Sequence, residues 1–69
     1  MKTYKVAVTW VRTGTNNASM AGLDEVVEIQ AENAEAARRE AVEDAINFAV
    51  ESGRSSEWLE KNEPVAEIV

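Results

Sequence analysis

Acidic side chains recur at helical spacing in the middle of the chain, and their types and spacing suit the binding of a basic surface. The group, which we call the acidic row, consists of four acidic residues and one asparagine: Glu40, Glu43, Asp44, Asn47 and Glu51. Its members fall within about 100° of one another on a helix and recur about every 5–6 Å along its axis. Phosphates along one nucleic-acid strand have a spacing of similar order, so the row could occupy a groove of lysines and arginines that otherwise holds a nucleic-acid backbone. A purely solvated helix face is the alternative.

The chain contains no His and no Cys, which excludes several kinds of site. Structural zinc sites, Ser-His-Asp and Cys-His relays and disulfides are built from these residues. A Mg²⁺ site formed by Glu40, Glu43 and Asp44 is conceivable. Acid–base catalysis, however, needs carboxylates held in a pocket, whereas these lie on a convex helix. We therefore expect a protein without catalytic activity, cofactor or bound metal.

Charge is distributed unevenly along the 69 residues, whose formal net charge is −6. Residues 1–23 contain three basic and no acidic residues, whereas residues 24–69 contain four basic and all 13 acidic residues, a net charge of −9. This segment would repel DNA or RNA. We therefore expect a protein partner with a basic surface and no direct contact with nucleic acid.

Hydrophobic patterning gives no sign of a membrane segment. No apolar run approaches the roughly 20 residues that cross a bilayer. The N-terminal residues alternate between polar and apolar, unlike the unbroken apolar core of a signal peptide. We therefore expect no membrane contact and a cytoplasmic location.

Three segments have the pattern of β-strands. Residues 2–12 and residues 24–31 alternate in hydrophobicity, as half-buried strands do, and residues 65–69 form a last strand that begins after Pro64. The apolar face of the first strand carries Tyr4, Val6, Val8 and Trp10. Residues 13–22 lack periodicity and are rich in turn formers, so we predict a mobile or functional loop there.

One long helix is predicted over residues 34–52. Asn33 offers an N-cap, and Gly53 supplies the left-handed residue that ends the helix. The apolar stripe of this helix consists of Ala34, Ala37, Ala41, Val42, Ala45, Ile46, Phe48 and Ala49. So many alanines predict a helix backbone close to the sheet, with Ile46 and Phe48 filling the remaining gaps.

The order strand, strand, helix, strand predicts a single α+β domain over residues 1–69. A right-handed crossover gives an antiparallel three-stranded sheet of order 2-1-3, with the long apolar first strand in the centre and the helix on one face. The alternative order is 1-2-3, in which the last strand pairs with the second. A short helical turn carrying Trp58 and Leu59 is expected to close one end of the core.

The sheet face opposite the helix has nothing to cover it. Val11, Val26, Val65 and Val69 would leave apolar surface there, which in a monomer often marks an interface. Solvated antiparallel sheets also tolerate scattered valines, so a simple solvated face is the alternative. An exposed edge strand could likewise pair with a partner or with a second copy, giving a homodimer.

The passage from strand into helix resembles that of small single-domain proteins from phages and mobile elements. The segments that carry the resemblance are Tyr4-Lys5-Val6-Ala7-Val8 and Val27-Glu28-Ile29-Gln30-Ala31-Glu32-Asn33, which runs on into Ala37 and Ala41. The chain is similar in this pattern to the DpnD/PcfM-like family, and several small anti-CRISPR proteins are built similarly. The resemblance implies a phage-encoded protein that binds a host machine, and it assigns no functional residue.

Together these features predict a non-enzymatic phage or mobile-element protein acting in the host cytoplasm. It would inhibit a host nucleic-acid-handling defence complex, such as a CRISPR effector, by placing its acidic row against a basic surface as a nucleic-acid mimic. The alternative is a structural or regulatory module that self-associates or binds a partner through its uncovered sheet face.

Overall fold

Three strands and two helices make up the fold in a computed structural model, which describes residues 1–15, 17 and 24–69. In chain order they are β1 (Lys2–Arg12), β2 (Glu25–Ala31), α1 (Ala34–Glu51), α2 (Ser56–Lys61) and β3 (Asn62–Ile68). The α+β class is confirmed. Among the described residues, no helix has the length and apolar character needed to cross a membrane.

The sheet has the order β2-β1-β3, with both neighbours antiparallel to β1. The predicted order 2-1-3 is therefore confirmed, and the order 1-2-3 is wrong. β1 takes the central place because its even-numbered face is the most apolar of the three, and Val6, Val8 and Trp10 on that face are buried. Val6 of β1 lies opposite Val27 of β2, and Trp10 of β1 lies opposite Pro64 of β3.

β3 begins three residues earlier than the sequence pattern predicts, so that Pro64 lies within the strand. The strand tolerates this proline because Pro64 and its partner Trp10 do not hydrogen-bond to each other. The backbone N–H of Trp10 points away from β3, toward the β2 side. That N–H donates to the Asp24 carboxylate, beside β2, over 3.1 Å. The missing N–H of Pro64 therefore falls on the outer edge of the sheet, where no ladder bond is lost.

α1 begins and ends where the sequence predicts, within one residue. The Asn33 side chain accepts from the Ala36 N–H at 2.8 Å, which caps the first turn. At the other end Gly53 has a φ of 89°, and the N–H groups of Gly53 and Arg54 donate to Val50 and Ala49. This pair of bonds is a Schellman motif, which requires the left-handed residue that glycine provides.

Four alanines, Ala37, Ala41, Ala45 and Ala49, are the buried residues of α1, and we call them the alanine seam. The expectation that Ile46 and Phe48 fill gaps beneath the helix is wrong, because their side chains are 38% and 45% exposed. The reason is steric. A seam of methyl groups brings the helix backbone so close to the sheet that larger side chains are displaced to its flanks.

Large side chains of the sheet and of α2 fill the core instead. Trp10 is buried, and its ring lies 4.9 Å from that of Trp58, centroid to centroid. The Ser55 side chain caps α2 by accepting from the Trp58 N–H at 3.1 Å, and the Arg54 guanidinium stacks 5.0 Å above the Trp58 ring. Trp58 and Leu59 both pack against the core, as the sequence predicts.

Candidate functional site

The acidic row lies on the solvent side of α1, and all five of its side chains are exposed. This orientation follows from the alanine seam, which lies on the opposite side of the same helix. From Glu40 to Glu51 the row extends along about 16 Å of helix at 1.5 Å per residue. Since both ends of α1 are capped, the row is displayed on a rigid element.

The charges of the acidic row are not neutralised within the described part of the chain. Arg39 pairs with Glu35 at 3.6 Å, and Lys61 pairs with Glu57 at 3.1 Å. These are the two ion pairs that the described residues form, and neither includes a member of the row. Arg39 therefore partners Glu35, and Glu43 forms no ion pair among the described residues. Four carboxylates remain available to an external cation.

A bound divalent cation is a poor explanation for the row. In the described ranges, no three acidic side chains come together closely enough to hold a metal ion. Glu40, Glu43 and Asp44, which the sequence offers as a conceivable Mg²⁺ site, point outward from a convex surface instead of converging. The four carboxylates of the row are instead spread along one side of α1 over about 16 Å.

The uncovered sheet face is the second candidate surface. Three of the four valines proposed from the sequence, Val26, Val65 and Val69, are exposed, and Val11 is half-buried. Val11 and Val65 come together in the lining of a shallow depression of about 220 Å³. Val26 and Val69 lie outside that lining, on β2 and after the end of β3. The structure therefore brings Val11 and Val65 together in one depression and places the more exposed Val26 and Val69 apart from it.

The depression has an acidic rim formed by Glu63 and Glu67. It is lined by Ala7, Thr9, Val11, Thr15, Glu63, Val65 and Glu67. Glu63 was missed because the predicted strand starts too late, although the alternation of Glu63, Val65 and Glu67 is a signal that would have placed all three on one face. Thr15 was missed because its position depends on the turn after β1, where its N–H and hydroxyl donate to the Arg12 carbonyl.

The predicted loop over residues 13–22 is described in part. Thr13 donates its backbone N–H to the Lys61 carbonyl, and Gly14 has a φ of 81° that suits glycine. Residues 16 and 18–22 of the predicted loop lie outside the described residues, so its proposed role stays a prediction.

No family model, curated protein or solved structure matches this chain.

Proposed function

We propose that this protein is a non-enzymatic binding protein that places the acidic row against a basic, nucleic-acid-binding surface of a partner protein. The observation that carries the proposal is the set of four exposed carboxylates on one rigid helix, none of them in an ion pair among the described residues. The partner class follows from complementarity, since a surface that binds phosphates presents lysine and arginine side chains.

The spacing of the acidic row supports mimicry of a nucleic-acid backbone. Glu40 and Asp44 lie about 6 Å apart along the helix axis, with Glu43 between them, and Glu51 follows about 10 Å beyond Asp44. Phosphates along a nucleic-acid strand also present negative charges a few ångströms apart. A basic groove therefore meets several negative charges at once, and it releases bound counterions as it would with nucleic acid. Binding of this kind weakens as salt is added, because the Debye length shortens from about 10 Å at 0.1 M to about 3 Å at 1 M.

The proposed setting is the cytoplasm of a host cell, with the protein encoded by a phage or mobile element. The resemblance to DpnD/PcfM-like and anti-CRISPR proteins supports this origin. It also supports a CRISPR effector as the specific partner, whose guide and target channel is lined by basic residues. The proposed effect is inhibition, because a channel filled by the acidic row no longer accepts nucleic acid.

A charge-reversal variant tests the acidic row. Glu40→Lys, Asp44→Lys and Glu51→Lys together should abolish binding to a candidate effector in a pull-down or a calorimetric titration. The matched control is Glu32→Lys, Glu57→Lys and Glu60→Lys, which changes the net charge by the same amount at exposed residues outside both candidate surfaces and should leave binding unchanged. Circular dichroism checks that both variants fold. Undiminished binding of the first variant would remove the mimicry mechanism.

The uncovered sheet face supports a second candidate function, a module that self-associates. The depression around Val11 and Val65 is the observation that favours it. Val65→Lys and Val26→Lys should each lower the association constant measured by sedimentation. A protein that stays monomeric at high micromolar concentration would contradict this candidate and leave the acidic row unaffected.

A further inference from the structure

The two outer edges of the sheet differ in their capacity to accept another strand. Hydrogen bonds reveal which residues of β1 face which neighbour: the Lys5 carbonyl accepts from the Val69 N–H on the β3 side, and the Trp10 N–H donates to Asp24 on the β2 side. Odd-numbered residues of β1 therefore bond to β3, and even-numbered residues bond to β2.

The outer edge of β3 is blocked by Pro64. Pro64 lies opposite Trp10, an even-numbered residue, so its backbone faces outward. A proline at this place has no N–H to offer and puts its ring where an approaching strand would lie. Natural sheets use edge prolines in this way to prevent strand addition.

Among the described residues, the outer edge of β2 carries no such block. Ile29 and Val27 lie opposite Tyr4 and Val6, so their backbone groups bond to β1. The even-numbered residues of β2, Val26, Glu28 and Gln30, therefore direct their N–H and C=O groups outward. Within the described part of the chain, these six groups have no backbone partner, and all three side chains are exposed.

The charge around this edge indicates which strand it suits. Residues 24–32 contain four acidic residues, Asp24, Glu25, Glu28 and Glu32, and no basic one. Lys5 lies opposite Glu28 in the register, but the two form no ion pair among the described residues. Glu28 stands on the open face of β2 and is placed to meet a basic side chain on a neighbouring strand.

We propose that the outer edge of β2 binds an extended segment of a partner protein as a fourth strand, with lysine or arginine at alternate positions. The backbone groups of Val26, Glu28 and Gln30 would supply the affinity, and the acidic side chains would select the basic segment. A second copy of this chain is the poorer occupant. It brings a net charge of −6, and a two-fold pairing centred on Glu28 would set two Glu28 carboxylates directly opposite each other.

This edge is a surface separate from the acidic row, so the proposal does not rest on the proposed function. A lysine-bearing peptide would also be attracted to the acidic row, and affinity alone cannot locate its binding. Strand addition, however, forms new backbone hydrogen bonds, which amide hydrogen exchange detects residue by residue.

The test uses the full chain and an acetylated peptide in which lysine and valine alternate. At about 90% saturation, exchange at the amides of Val26, Glu28 and Gln30 should slow about tenfold, because only the free fraction exchanges. A peptide in which glutamate replaces lysine should give no protection. Protection confined to α1, or found at the amides of Asn62 and Ala66 on the β3 edge, would overturn the proposal.

Two variants of Glu28 separate backbone pairing from charge. Glu28→Pro removes an outward N–H without breaking a bond to β1, and it should abolish the protection of Val26 and Gln30. Ala66→Pro is the matched control on the blocked β3 edge and should leave protection unchanged. Glu28→Gln keeps the backbone and should weaken peptide binding about two- to fivefold, as the loss of one cross-strand charge pair does.

The remaining outcomes also decide the question. Protection that survives Glu28→Pro would show that no strand is added at β2. Protection that appears without peptide and increases with protein concentration would identify a second copy as the occupant, and this too would overturn the proposal.

Discussion

The close approach of α1 to the sheet predicts that the alanine seam does not accept larger side chains. Ala41 is 1% exposed and lies within the core formed by β1, β2 and α1. Ala41→Leu adds three carbon atoms to a side chain that is already enclosed by the core. The helix must then move away from the sheet, which also separates Ala37 and Ala45 from their contacts.

The expected magnitude follows from the size of this change. Overpacking of a well-packed core destabilises by about 1–3 kcal/mol. A domain of 69 residues has a free energy of unfolding of about 3–10 kcal/mol at the usual 0.05–0.15 kcal/mol per residue. Because about 1 kcal/mol shifts the Tm of such a small domain by roughly 4–8 °C, Ala41→Leu should lower the Tm by about 5–20 °C.

Thermal and urea unfolding followed by circular dichroism measure this effect. The matched control is Val50→Leu, which enlarges a side chain that is 55% exposed on the same helix and should change the free energy of unfolding by less than about 0.5 kcal/mol. An Ala41→Leu protein as stable as the wild type would refute the close seating of α1. Because leucine favours a helix more than valine does, destabilisation by Val50→Leu as large as that by Ala41→Leu would show that packing of the alanine seam against the sheet does not set the effect.

Three further predictions concern stability and are measured by the same unfolding experiments. Trp10→Ala should destabilise the protein by about 3–5 kcal/mol, as deletions of buried aromatic side chains do. Phe48→Ala should cost less than half as much, because Phe48 is 45% exposed. Similar values for both variants would contradict the burial of Trp10. Asn33→Ala should cost about 1 kcal/mol through loss of the N-cap, and an unchanged midpoint would show that the cap is dispensable. Glu40→Lys should stabilise by a few tenths of a kcal/mol by relieving its repulsion with Asp44, an effect that should fade in high salt, and a loss of stability would contradict it.

The acidic row combines features that intrinsic stability does not favour. Glu40 and Asp44 are like charges four residues apart, which destabilises a helix, and Arg39 is engaged with Glu35. A helix optimised only for stability would place a basic residue at one of these positions. Retention of the uncompensated charges is consistent with the proposed role of the row at a basic surface.

Local signals in the sequence account for β1, β2 and α1 and their ends, whereas β3 begins three residues before the predicted strand. Strict alternation identifies β1, because side chains in a strand point alternately to opposite faces. Asn33 and Gly53 mark the ends of α1 through hydrogen bonds made within a few residues of each. The outward orientation of the acidic row was also predictable, since it follows from the position of the alanines on the same helix.

Side-chain burial at the flanks of α1 was not predictable from periodicity. Ile46 and Phe48 belong to the apolar stripe by angle, but their burial depends on the distance between helix and sheet. The alanine seam sets that distance, and Trp10 and Trp58 supply volume from other elements. A projection of one helix contains none of this information.

The sequence by itself determined β1, β2, α1, the α+β class and the side of α1 that carries the charges, because each depends on residues near one another along the chain. Only the tertiary structure decided where β3 begins and that Pro64 blocks one sheet edge. It also decided that Val26, Glu28 and Gln30 leave the other edge open among the described residues. It also joined Thr15 to Glu63 and Glu67 around one depression. The physical reason is that strand register, which sets the direction of every backbone N–H and the neighbours of every side chain, arises from pairing between distant segments.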